Sequence, residues 1–222
     1  MSISANLDAV RSLLPEGVKL VAVSKFHPKE ALEKAYDAGQ RVFGESRVQE
    51  LSSKQEVLPE DIEWHLIGHL QTNKIKSVVP YIHTIQSIDS WKVLSEIDKY
   101  ASKVDRRVNC LLEIYIAKED TKYGLTFEEC RYLLANENWK ALKNIQIAGV
   151  MGMATNTDDE SQIRQEFRSL KTFFEELKQQ YFKGDSCFCE ISMGMSHDYK
   201  IAIEEGSTII RVGTSIFGER EY

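Results

Sequence analysis

Eight short runs rich in β-branched and other apolar residues recur along this chain, each followed by an amphipathic stretch, and that alternation constrains the fold more than any other feature. The runs are Val18–Ser24, Arg41–Gly44, Trp64–Gly68, His83–Gln86, Cys110–Ile116, Ile147–Met151, Phe188–Ser192 and Ile209–Gly213. Helical patterns occupy Pro28–Ala38, Val48–Glu56, Ser90–Ser102, Phe127–Ala135, Ser161–Tyr181 and Asp198–Glu205, and a leading helix spans Ala5–Leu14. Strands joined by helical crossovers pair in parallel, since a tight turn returns the chain antiparallel. Eight such units in succession predict an α/β fold: a single closed (β/α)8 TIM barrel with an extra N-terminal helix, near the short end of that fold's size range. An open doubly wound sheet is the rival, and it carries a glycine-rich first turn. Here the first run passes into Ser24-Lys25-Phe26-His27-Pro28, which holds no glycine. With no linker rich in proline, glycine or serine and no internal repeat, residues 1–222 read as one domain.

Charge and cysteine usage narrow the partners. Lysine and arginine number 28 against 34 acidic residues, a net charge of −6, so no general positive field exists to hold a nucleic acid. No apolar run approaches the roughly 18 residues of a membrane helix, and the N-terminus lacks a basic flank followed by an apolar stretch; a cytoplasmic protein without membrane contact is expected. Cys110, Cys130, Cys187 and Cys189 are too irregularly spaced for a disulfide framework or a paired zinc set, and reduced, buried thiols are expected. His65 and His69 stand four apart, but Gly68 lies between them and no acidic third ligand follows, so no metal site is expected. A G-x-S-x-G elbow is absent, and Phe173-Phe174 and Tyr181-Phe182 fit core contacts on a helix.

In a barrel of this kind, ligands bind where the strands stop. The first run ends in Lys25, a lysine at the rim with its stem among apolar neighbours. Burial disfavours its ammonium and favours the amine that condenses with carbonyls, whereas a solvated surface lysine is the alternative. The last run reads Arg211-Val212-Gly213-Thr214-Ser215, where a glycine admits a ligand close to the backbone and the following residues offer hydroxyls and N–H groups, suiting phosphate. Ser196, after the seventh run, is either a helix cap or part of the same cradle. Arg211 shares the inward parity of Gly213, and its partner is either a ligand or one of Glu113 and Glu190.

These residues sit within Val21-Ala22-Val23-Ser24-Lys25, Phe43-Gly44-Glu45, Trp64-His65-Leu66-Ile67-Gly68, Gln71-Thr72-Asn73-Lys74, Ser192-Met193-Gly194-Met195-Ser196 and Arg211-Val212-Gly213-Thr214-Ser215-Ile216-Phe217-Gly218. The set, in order from Val18 to Tyr222, resembles the pyridoxal phosphate homeostasis protein family, which looks like the barrel domain of alanine racemase standing alone. The resemblance implies that Lys25 carries pyridoxal 5'-phosphate as a Schiff base. It also implies that Ser192, Gly213 and Thr214 hold the phosphate and that Arg211 faces the pyridine nitrogen. Two positions depart from the family. Ser46 stands where Gly-Glu-Asn is usual, placing a hydroxyl instead of an amide near the cofactor, and His27 replaces a basic residue two positions after the lysine, making any ionic contact there depend on pH. The function implied is vitamin B6 homeostasis by a monomeric carrier or regulator, in transient contact with apoenzymes that need the cofactor, and not catalysis. An amino-acid racemase or decarboxylase is the alternative; racemisation needs an acid and a base on opposite faces, and the second domain that supplies one of them in the racemase is not seen here. A phosphosugar isomerase would use Glu113 or Glu190 but leaves Lys25 unexplained.

Overall fold

The computed structural model describes residues 2–119 and 123–219. Eight parallel strands close into a barrel in sequence order: β1 Lys19–Val23, β2 Val42–Glu45, β3 Glu63–Leu66, β4 Thr84–Ile88, β5 Val108–Ile114, β6 Ile145–Gly152, β7 Glu190–Ser192 and β8 Ile209–Val212. Each expected run contains or overlaps one strand. Closure comes from β1 pairing with β8, where Lys19, Leu20, Val21 and Ala22 stand opposite Ile209, Ile210, Arg211 and Val212.

Alternation along the strands builds two cores. Val21, Leu111, Ala148, Met151 and Ile209 fill the barrel interior, while neighbours of opposite parity such as Leu20, Ala22, Cys110 and Leu112 face the surrounding helices. The helix Glu160–Gln180 shows how the outer layer forms: Ile163, Phe167, Leu170, Phe174 and Leu177 fall at helical spacing and are buried as one stripe. Asp159 caps its start, accepting from Ser161 N–H at 3.0 Å and Gln162 N–H at 3.2 Å. The helix Phe127–Ala135 opens with a Thr126–Glu129 capping box. The leading helix α1 (Ile3–Arg11) starts behind the cap Ser2 and docks on the last described helix, Thr214–Phe217, where Asn6 Nδ2 donates to Ile216 C=O at 2.9 Å. Among the described residues, no helix is long and apolar enough to cross a membrane.

Three short helical pieces lie outside the sequence expectation: Thr72–Lys74 running into Ile75–Val78, Asn138–Ala141 and Thr214–Phe217. Segments this short have no intrinsic stability and form because tertiary packing buries residues such as Ile75, Val78 and Ile216.

The seam between β7 and β8 is the thinnest of the sheet, with Ser192 opposite Ile209 as its registered pair. Side chains complete it. The Ser207 hydroxyl lies 2.8 Å from both Met193 and Ile209 carbonyls, and Thr208 Oγ1 accepts the Ile191 N–H at 2.8 Å. Just beyond, Gly194 has φ +97°, and a Cβ there would meet the Ala202 Cβ at 2.6 Å and Tyr199 Cα at 2.9 Å. Gly184 has φ +84° but open space around it. In urea denaturation Gly184→Ala should cost about 1 kcal/mol from backbone strain alone. Gly194→Ala should cost about 3 kcal/mol, because overpacking adds to that strain.

Candidate functional site

The strand ends at the C-terminal mouth enclose a cavity of about 190 Å³. Lys25, Ser46, Arg211, Gly213 and Thr214 all line it, together with Val23, Ile67, Met153, Met195, Ser196 and His197. Parity brings them there: Val21, Val23 and Lys25 point inward along the first strand, as Ile209, Arg211 and Gly213 do along the last. Pairing of β1 with β8 then sets Lys25 beside residues 213 and 214 across the closure. A Cβ on Gly213 would sit 3.0 Å from the Val23 carbonyl, so this glycine permits the close approach of the two strand ends. The N–H groups of Thr214 and Ser215 open a helical turn and have no carbonyl within it to bond.

Arg211 is buried, yet neither Glu113 nor Glu190 takes its charge directly. Its Nη1 donates to Ser192 Oγ at 2.6 Å and its Nη2 to the Gly152 carbonyl at 3.0 Å. Burial lowers its pKa to about 10, while the Asp198 and Glu113 carboxylates work the other way, so it stays a cation at neutral pH. Glu190 lies instead at the other end of the barrel, 3.7 Å from Lys19 Nζ. Glu113 is pushed up to about 7 by burial first and by Asp89 second, with Arg211 opposing.

Ser192 stands apart from the lining. Its hydroxyl is fully buried on β7, where it accepts from Arg211 and donates to Gln86 Oε1 at 2.6 Å; Gln86 Nε2 in turn lies 2.8 Å from His65 Nδ1. Ser196 takes the lining position four residues later. It is not the helix cap allowed by the sequence, because the helix Tyr199–Glu204 begins behind Asp198, whose carboxylate binds the Met195 N–H at 2.5 Å. The Ser196 hydroxyl is turned to Gly213, accepting its N–H at 3.1 Å. His27 also lies outside the lining and packs on Phe217, ring centroids 5.1 Å apart. His197 is the imidazole at the cavity, 3.2 Å from the Asp198 carboxylate. Ser46 is fixed by its backbone: a Cβ on Gly68 would fall 2.4 Å from the Ser46 carbonyl, so β2 and β3 meet here without a side chain between them.

Behind Lys25, on the outer face of β1 and β2, lies a charged cluster that sequence reading did not find. Lys54, on the helix Val48–Gln55, places Nζ 2.7 Å from Glu45 Oε1, 2.7 Å from Glu50 Oε1 and 2.8 Å from the Ser24 carbonyl. The Ser24 hydroxyl donates to the same Glu45 oxygen at 2.6 Å, and the Phe26 N–H donates to Glu50 at 2.6 Å. Phe26 has φ +68°, a left-handed conformation held by that bond, so the cluster shapes the bend that presents Lys25. The available signal was Lys54 itself, which falls on the same helical face as the buried Val48 and Leu51.

Burial raises the Glu45 carboxyl to about 7 against the pull of Lys54 and Ser24. A carboxyl whose folded pKa exceeds its unfolded value favours folding most below the unfolded pKa, and that advantage is lost as pH rises through the folded one. Lys54→Met removes the opposing cation and raises Glu45 further. The variant should lose about 3–5 kcal/mol at pH 8 and distinctly less at pH 5, where Glu45 is protonated in both proteins. Urea denaturation at the two pH values checks the widening gap.

Comparison with known proteins places this geometry. The family model for the N-terminal domain of alanine racemase matches residues 1–221. The pyridoxal phosphate homeostasis protein of Aquifex aeolicus is 39% identical over 205 residues, covering 92% of this chain and 88% of its own. PipY of Synechococcus elongatus PCC7942, in a structure without PLP, superposes with a TM-score of 0.91 at 40% identity over 98% of this chain and all of PipY. A second PipY structure, with PLP bound, gives a TM-score of 0.88 at 38% identity. An alanine racemase of Clostridium difficile shares the fold, with a TM-score of 0.79 at 15% identity over 56% of its length. Near-complete coverage at this level of identity, on a barrel of the same topology, makes the chain a member of the pyridoxal phosphate homeostasis protein family.

Proposed function

We propose that this protein binds pyridoxal 5'-phosphate in the upper cavity, attached to Lys25, and serves as a monomeric carrier or regulator of that cofactor and not as an enzyme. The observation that carries this reading is the convergence of Lys25, Arg211, Gly213 and Thr214 on one cavity in a chain 38% identical to a PipY that holds PLP. When bound, the cofactor supplies an aldehyde that condenses reversibly with amines and a ring that withdraws electrons.

The chain's own groups suit it. Lys25 supplies the amine, at a half-buried position whose backbone is held by the Glu50 and Lys54 cluster. The Thr214 and Ser215 N–H groups and the Thr214 hydroxyl offer donors to a phosphate, which the proposal assigns to the β8 end of the cavity. Ser192 lies one layer below the lining, where it accepts from Arg211 and orients it. The Arg211 cation disfavours a proton on a ring nitrogen nearby, which keeps the ring a weak electron sink. Ser46 offers one short hydroxyl at the rim. Val23, Ile67, Met153 and Met195 make the remaining wall largely apolar. Such a lining favours holding and releasing the cofactor over proton transfer on both faces of a substrate.

Borohydride reduction of the loaded protein followed by mass spectrometry should find the cofactor's mass on Lys25, and Lys25→Ala should abolish it. Modification of another lysine in the wild type would overturn the assignment.

The loaded protein should also reactivate an apo-transaminase while showing no stereospecific turnover across a panel of free amino acids. Enzymatic turnover that disappears in Lys25→Ala would replace the carrier reading with the racemase or decarboxylase alternative.

A further inference from the structure

At the opposite end of the barrel, where the strands begin, a second cavity of about 170 Å³ is lined by residues that include Lys19, His65, His83, Cys187, Cys189 and Glu190. Glu63 stands beside it, and Glu63, His65 and His83 each bring one potential ligand atom to within 4.8 Å of the others. His65 is completely buried, and its Nε2 has no hydrogen-bond partner. The His83 ring stacks on it, centroids 5.6 Å apart and planes 4° from parallel, with Nε2 3.7 Å from Glu63 Oε2. Nothing in the upper cavity uses these groups.

We infer that Glu63, His65 and His83 form a binding site for a borderline divalent metal ion such as zinc at the floor of the barrel. Two imidazoles and a carboxylate, with a fourth position open to water, are a ligand set that zinc accepts. Burial lowers the pKa of both histidines, His65 most strongly, so each presents a neutral ring with a lone pair. Ligand atoms around a tetrahedral zinc stand about 3.3 Å apart, so the site must contract by roughly 1.5 Å. Glu63 and His83, whose side chains are 43% and 37% exposed, have room to move, and the His83 ring must turn out of its stack on His65 to aim Nε2 at a shared ion. The Lys19 ammonium opposes a cation here, but it is drawn to Glu190, 3.7 Å away.

His65 Nδ1 is held at 2.8 Å by Gln86, whose amide nitrogen faces it, whereas a metal-bound imidazole donates its second N–H to an acceptor. For Nε2 to ligate, the ring proton sits on Nδ1 and the Gln86 amide turns its oxygen toward it. Its nitrogen then donates to Ser192 Oγ, which also receives Arg211 and whose own proton gives up its bond to Gln86 Oε1. The inference stands whatever occupies the upper cavity.

Calorimetric titration of the full chain, freed of metal with chelator, against zinc chloride is the test, with cobalt(II) absorption as a second readout. One zinc per chain is expected, with at least about tenfold weaker binding in His83→Ala and in Glu63→Gln and unchanged binding in the Cys187→Ser/Cys189→Ser double variant. Cobalt(II) should give the visible bands of a four-coordinate site without sulfur charge transfer, and zinc should raise the Tm of the wild type reversibly with chelator. Absence of zinc binding, equal affinity in the two ligand variants, or loss of binding in the cysteine variant would each overturn the inference. Melting of every variant in chelator separates a lost ligand from a lost fold, since Glu63 and His83 both sit at half-exposed strand starts.

Discussion

Closure of β1 on β8 is the contact from which the rest of the molecule follows. It joins residues about 190 positions apart, and its register decides which side chains share the barrel interior. A slip of β1 by one residue would turn Lys25 toward the helices and bring Ser24 inside. The upper cavity, the approach of Gly213 to Val23 and the inner apolar cluster all depend on that one alignment.

Closure alone does not aim Lys25. The bend after β1 requires Phe26 in a left-handed conformation, and the cost is offset by a hydrogen bond to Glu50, itself neutralised by Lys54. Lys54 also meets Glu45, so a single ammonium serves two carboxylates between the barrel and its helical layer. Such an arrangement is weak evidence of stability and good evidence of placement, since a hydrophobic replacement could fill the space but could not hold the Phe26 N–H.

The strands were legible because a parallel barrel buries both faces of each, leaving continuous apolar runs that are hard to mistake. Part of the cavity lining was legible for a related reason: Lys25, Arg211 and Gly213 follow the alternation past the point where the apolar residues stop. Met153 obeys the same parity beyond β6 and went unread because a methionine carries no chemical flag. The Glu45–Lys54–Glu50 cluster was hidden because its geometry needs two strands and a helix brought together. His65 and His69, four apart in sequence, part in the fold, as the intervening Gly68 allowed: His69 stands 3.1 Å from Asp89, while His83, eighteen residues from His65, stacks on its ring. Ser196 looked like a cap because local preference ignores the competing Asp198 two residues on.

The thin seam between β7 and β8 gives the barrel an uneven mechanical character. Backbone rungs still cross it, from the Thr208 N–H to Ile191, the Met193 N–H to Ile209 and the Arg211 N–H to Gly194, and breaking any one strands two polar groups. Ser207, Thr208 and Ser196 add hydroxyl bonds to those rungs, and a hydroxyl can rotate from one acceptor to another while remaining bonded. An oxyanion arriving at Gly213 can take over its N–H and receive the Ser196 hydroxyl in the same motion, with no rung of the sheet undone. The Gly213 N–H is thus held by a hydroxyl and not by a rung, so that one bond can change hands while the closed wall stays intact.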